Sequence, residues 1–221
     1  MIIDKVYRLV QIISNKEQRG DIPPERFNLL AESAQLEFIS KRLGNIKIIN
    51  ERGVPQFGYE SSWRIHEDLR PMVHGPEVIP ILPDGKFFYP YGYMWVDAVH
   101  KNDFTPIKRI TADQYPHIKR SAIIPPSEEY PVMIMRNPYG FIDPYSIGSF
   151  SMSYLKTPPT PVWGYGMVNN KPVFDANLST DLSIPEVCWL EIVVLILQHV
   201  GINLSAEAVT QFAMSKEMSG T

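Results

Sequence analysis

The side chains best suited to chemistry in this chain are its histidines, its aspartates and one cysteine, and their spacing decides what they can do. The histidines are His66, His74, His100, His117 and His199. None stands at HxH or HxxxH spacing and no HExxH occurs, so no helix face offers two imidazoles to a zinc ion. His66-Glu67-Asp68 could supply a base or a ligand; the alternative is the polar side of a short surface helix. His199 falls near a helix end, where positive charge complements the dipole. Asp97, Asp103, Asp143 and Asp175 lie in or beside strand-like segments. Convergence of such a pair would meet the need of a glycosidase for two carboxylates, while ordinary turn and edge roles explain all four. Cys188 is the single cysteine; it excludes an internal disulfide and a cysteine-based metal site, and a small buried apolar residue is the expectation.

The glycine motifs of nucleophilic hydrolases and phosphate-binding loops are absent. There is no G-x-S-x-G elbow and no G-x-x-x-x-G-K-[ST] loop. Gly164-Tyr165-Gly166 is a lone GxG without a third glycine or a following helix, so these glycines read as a bend or close strand packing. Lys101, Lys108, Arg109, Lys119 and Arg120, interleaved with Tyr115 and His117, could contact phosphate or a stacked base. A solvated face or ion pairing with a neighbouring subunit is the other reading. The net charge of −3 offers no broad attraction to nucleic acid or an anionic membrane, though it permits DNA to pass without being gripped. No catalytic, cofactor-binding or metal-binding residue is therefore expected, and the chain is read as a non-enzyme.

The elements that must position these residues divide by periodicity. Ile3, Val6, Val10 and Ile13, widened by Leu9, predict a helix from about Ile3 to Glu17, ended by Gly20. Asp21-Ile22-Pro23-Pro24-Glu25 restarts the chain, and Phe27, Leu30, Ala31, Ala34 and Phe38 continue at helical spacing until Gly44. At the other end Ser183-Ile184-Pro185-Glu186 has the form of a capping box. Behind it Trp189, Ile192, Val193 and Ile196 mark one face of a helix that Val187, Leu190, Val194 and Leu195 make apolar nearly all round, and Gly201 closes it. Ser205 starts a second helix carrying Ala208, Val209, Phe212 and Ala213.

Most of the 20 prolines fall between these hairpins, where short strands and fixed loops are expected rather than long helices. Ser61-Ser62-Trp63 suits the start of a helical turn. Candidate strands are Val78–Leu82, the aromatic run Phe87–Val96, Tyr130–Met135, and Ile147–Leu155 with Phe150, Met152 and Tyr154 alternating against serines. Asn137-Pro138-Tyr139-Gly140 reads as a turn, residues 111–119 as a short helix, and Val162–Val168 with Pro172–Phe174 as a hairpin around Asn169-Asn170. The fold class is α+β: terminal hairpins, residues 1–46 and 183–221, form a small helix bundle, and 47–182 is a Pro/aromatic-rich antiparallel β insertion. With 221 residues, 44% hydrophobic composition, no signal peptide pattern and no apolar run of about eighteen residues, a soluble protein made in a reducing cytoplasm is expected.

The apolar excess points to contact. Phe88, Tyr91, Tyr93 and Trp95 stand in a run too aromatic for one small sheet to cover, and Trp163, Tyr165, Trp189 and Leu195 join them as expected subunit-interface residues. Leu9–Gln18 followed by Phe27–Glu32, the segment Ala122–Pro131, Tyr154–Tyr165, and Ile202-Asn203-Leu204 together resemble virion proteins of crAss-like and related Bacteroidetes tailed phages. The resemblance spans nearly the whole chain. It implies a structural protein of the head–tail connector, with an adaptor-like helical bundle and β insertion, assembling as a dodecameric ring below the portal. The implied partners are copies of itself, the portal, adjoining ring proteins and genomic DNA threading the channel without sequence-specific binding, in the virion and with no membrane. A carbohydrate-acting enzyme using the aspartates and a DNA-binding accessory protein remain the alternatives.

Overall fold

The computed structural model describes residues 1–17, 20–52 and 67–202, the side chains of 44–52 excepted. Two compact units are present: one from Met1–Pro71 with Pro158–Thr221, the other Met72–Thr157. The chain is mixed α+β. The boundaries fall at 72 and 157 rather than at 47 and 182, because α2 runs on past residue 47 and the last hairpin packs with the helices.

In the first unit α1 (Ile2–Lys16) buries Ile3, Val6, Leu9, Val10 and Ile13, the stripe that its periodicity marks. Its N-terminus is capped from far along the chain: the Asp181 carboxylate accepts from Ile2 N–H (3.0 Å) and Ile3 N–H (2.8 Å). A carboxylate there satisfies orphan amides and meets the positive end of the helix dipole. The link to α2 (Pro24–Arg52) is pinned by the Gln11 amide, whose oxygen accepts from Ile22 N–H (3.0 Å) and whose nitrogen donates to the Ile22 carbonyl. Gly44 does not stop α2; a helical glycine costs only about 1 kcal/mol relative to alanine, and helix-compatible residues follow.

Among the described residues, Glu67–Leu69 are also helical, and two whole helices follow: short α3 (Gln114–Lys119), in the second unit, and α4 (Trp189–His199), which contacts both α1 and α2. The expected capping box does not form. Pro185 is extended, a 3-10 turn fills Glu186–Cys188, and no side chain caps α4; Glu186 instead pairs with Lys5 Nζ at 2.7 Å. The C-terminus does close as expected. Gly201 takes φ +86°, Gly201 N–H donates to the Gln198 carbonyl and Ile202 N–H to that of Leu197 at 2.8 Å, with both Ile202 and Leu197 buried. That is a Schellman closure. The expected helix from Ser205 with Ala208, Val209, Phe212 and Ala213, the turn at Ser61–Trp63, and His66 lie outside the described residues.

The second unit holds seven described strands: β1 (Val73–Pro80), β2 (Lys86–Phe88), β3 (Tyr93–Lys101), β4 (Lys108–Ile110), β5 (Val132–Ile134), β6 (Tyr139–Asp143) and β7 (Ser149–Lys156). They form two sheets, ordered β1-β7-β3 and β2-β6-β5-β4. One core joins both: Ile79, Val96, Phe150, Met152 and Tyr154 from the first meet Phe87, Met133 and Ile142 from the second. The aromatic run is two strands, not one, because the Pro90 carbonyl accepts from Tyr93 N–H (3.1 Å) around Gly92 at φ +74°. Tyr139 and Gly140 belong to β6, not to a turn. The insertion is not purely antiparallel: β4 and β5 run parallel. Parallel neighbours require a long crossover, and residues 111–131, including α3, supply it. After β7 the chain returns to the first unit, which a two-stranded hairpin of β8 (Tyr165–Val168) and β9 (Lys171–Phe174) completes.

Candidate functional site

The β4–β5 crossover encloses a cleft of about 710 Å³ within the second unit. Its walls are Pro106, Ile118, Ile124, Tyr130, Pro131 and Val132, with Lys108 and His117 on one side and Glu129 and Ser121 completing it. The α3 wall is held from behind. Asp143, buried at the end of β6, accepts from Tyr115 Oη at 2.9 Å and from Lys119 Nζ. The hydrogen bond to Asp143 holds the Lys119 ammonium above its usual pKa, and burial together with that carboxylate raises the Tyr115 phenol. Both therefore stay protonated at neutral pH and lock α3 in place.

Of the four aspartates that paired catalysis would need, three have local structural partners and the fourth is exposed on a strand. Asp143 anchors α3; Asp103 accepts from Thr105 N–H (3.0 Å) and pairs with Lys101 (3.0 Å), which lowers it to about 2. Asp175 caps a 3-10 turn by accepting from Asn177 N–H, and Asp97 points to solvent on β3. The basic set is likewise divided. Lys101 and Lys119 are committed to those aspartates, Arg109 lies over the Trp95 ring at 5.7 Å, and Lys108, His117 and Arg120 are exposed near the cleft.

Asp68 is helical, as are Glu67 and Leu69, but it faces inward rather than to the surface. It is buried, receives Arg42 Nε at 2.9 Å and lies 3.4 Å from Cys188 Sγ, while Arg42 Nη2 also reaches Glu191 Oε2 at 2.7 Å. Burial first, and the Asp68 carboxylate second, push the Cys188 thiol up to about 11. Cys188 is thus the buried, unreactive residue that its helical position implies. Among the described residues no group of three His, Cys, Asp or Glu side chains is placed to hold a metal ion.

The expected interface residues separate by exposure. Phe88 and Tyr91 are exposed on the β unit, Tyr91 at 92%, while Tyr93 and Trp95 are half-buried. On the helical unit Trp189 and Tyr165 are half-buried. Leu195 and Trp163 are interior and do not present a surface. Leu195 is buried on α4. Trp163 stacks on Tyr7 at 4.0 Å, donates Nε1–H to Asp4 (3.1 Å) and its backbone N–H to Asn28 (2.8 Å), so it stitches α1 to α2.

Other exposed apolar residues were not expected from the sequence: Val187 (83%), Ile123 (88%), and Met167, Val168 and Val173 on the β8–β9 hairpin. The hairpin carried a legible signal, since apolar types occur on both of its faces instead of alternating with polar ones. Among the described residues no helix is long and apolar enough to cross a membrane. No family model matches the chain, and no curated protein matches it.

Proposed function

We propose that this protein is a non-enzymatic, ring-forming structural component of a phage head–tail connector, stacked near the portal and surrounding the path of the DNA. The observation that carries the reading is the amount of large apolar surface left open on both units, with Tyr91, Phe88, Ile123 and Val187 the leading examples. Single exposed apolar residues are ordinary; several large ones open on each unit favour protein contact. The resemblance to virion proteins of crAss-like phages supplies the identity of the assembly. The helical unit with its β insertion supports an adaptor-like part. Dodecameric rings, contact with portal and neighbouring rings, and residence in the virion belong to the same proposal. Burial of the open apolar residues between copies holds the ring, and a mildly acidic or mixed lumen lets DNA slide past.

The test is imaging with partners present. Negative-stain microscopy and light scattering of the full chain, alone and mixed with portal, are expected to show closed rings or ring–portal complexes. Monomers under both conditions would remove the proposal.

A further inference from the structure

The β8–β9 hairpin is a two-stranded ribbon, and among the described residues no third strand joins it. Its two outer edges are not alike. Asn169 and Asn170, at φ of 49° and 60°, make a two-residue turn that closes on Val168 and Lys171. At the base, Asp175 N–H donates to the Gly164 carbonyl at 2.9 Å. Hydrogen-bonded pairs alternate with non-bonded ones along an antiparallel ladder. Val168–Lys171, Gly166–Val173 and Gly164–Asp175 therefore bond inward, whereas Tyr165 and Met167 on β8, and Pro172 and Phe174 on β9, turn their backbone groups outward. The β9 edge is blocked, because Pro172 has no amide to offer at its outward position. The β8 edge carries none of the usual guards: Tyr165-Gly166-Met167-Val168 contains no proline and no charge. Met167 and Val168 are 63% and 54% exposed, and Gly166 has open space where a β-carbon would stand. The ribbon is anchored at its base, where Trp163 packs against Tyr165 and Phe174, each ring centroid 5.9 Å away.

We propose that two copies of this chain pair through β8, antiparallel about a two-fold axis at Gly166, into one sheet ordered β9-β8-β8-β9. The edge is complementary to itself. With the axis at Gly166, Tyr165 of one copy lies opposite Met167 of the second copy. Both turn an N–H and a C=O outward, so each such pair exchanges both of its hydrogen bonds. The side chains that meet are an aromatic ring and a thioether, a favourable contact, and no like charges face each other across the axis. The two Gly166 residues form the closely spaced, non-bonded pair at the centre, where their missing side chains leave the strands room to approach. The contact is isologous and closes at two copies, so it goes beyond the ring reading and does not depend on it.

Disulfide trapping of full-length variants under oxidised glutathione tests both the contact and its register. Across the axis the two Gly166 Cα atoms would stand about 4.5 Å apart, within disulfide reach. Val168, also exposed on β8, would stand roughly 14 Å from its counterpart, because it lies opposite position 164 of the second copy. Gly166→Cys is therefore expected to form disulfide-linked dimer at least about tenfold faster than Val168→Cys; the buried Cys188 is common to both. Met167→Pro removes an outward amide and no inward one, so adding it to Gly166→Cys is expected to bring trapping down to the Val168→Cys rate. Met167→Ala, which keeps that amide, is expected to trap faster than the proline variant. Equal rates for Gly166→Cys and Val168→Cys, the result if β8 takes the strand of some other protein, would overturn the inference. Trapping undiminished by Met167→Pro would overturn it as well.

Discussion

Gly140 lies under the Phe87 ring, and a β-carbon built there would stand 2.1 Å from the ring's Cζ. Phe87 is fully buried and cannot retreat. Gly140→Ala is therefore expected to destabilise the protein by about 2 kcal/mol through overpacking, read as a lower urea midpoint. Arg42→Met should cost on the order of 2 kcal/mol, since it strands the buried Asp68 carboxylate; replacing Asp68 by Asn in the same chain should recover part of the loss. Tyr154, buried and donating to Glu77 Oε2 at 2.9 Å, is pushed up to about 12, chiefly by burial. Its folded pKa lies above the unfolded value of 10.0, so its contribution is intact below pH 10 and is lost as pH rises from 10 towards 12. Urea titrations at pH 9 and 11 should show that loss, and Tyr154→Phe should make it smaller. Legibility at this scale was uneven. The burial of Cys188 followed from its helical position, and Gly164 proved a close-packing glycine, its β-carbon position 2.4 Å from the Leu178 backbone. Gly166, of the same motif, faces open space. Two glycines separated by a single residue look identical until their neighbours are placed.

Helices were the most legible elements, because a buried stripe at 3.6-residue spacing survives any tertiary context. The α1 face, the α4 closure at Gly201 and the Asn-Asn hairpin all follow from local rules. What failed was the stop at Gly44 and the capping of α4. Gly44 does not end α2, and Ser183 does not cap α4, because Glu186 is drawn away by Lys5. The cap of α1 comes instead from Asp181, a residue that no local pattern could associate with it. Asp181→Ala is expected to cost about 1 kcal/mol, with thermal unfolding as the measurement and Asp181→Asn as a partial rescue. Strands were legible where alternation was clean, as in β7. They were not where aromatic residues continued through a turn, as across Pro90–Gly92.

For the molecule as a whole, association should respond to surface changes that folding ignores. Tyr91→Asp and Phe88→Asp replace exposed side chains, so each is expected to leave unfolding free energy within about 0.5 kcal/mol. On the proposed connector reading, assembly with itself or with portal, followed by light scattering, is expected to weaken in both variants, and unchanged assembly would count against Phe88 and Tyr91 as contacts. Composition and periodicity by themselves determined the α+β class, the helical ends with strands between, and an excess of apolar surface. Those properties depend on local spacing and on totals, which a linear chain carries in full. Only the tertiary structure decided which apolar residues are spare. Trp163 and Leu195 are consumed inside, whereas Tyr91 and the β8–β9 tip are left open, because burial depends on neighbours distant in sequence. The same holds for the cleft: a parallel β4–β5 pair demands the crossover that encloses it, and strand direction is a matter of pairing that no segment expresses alone.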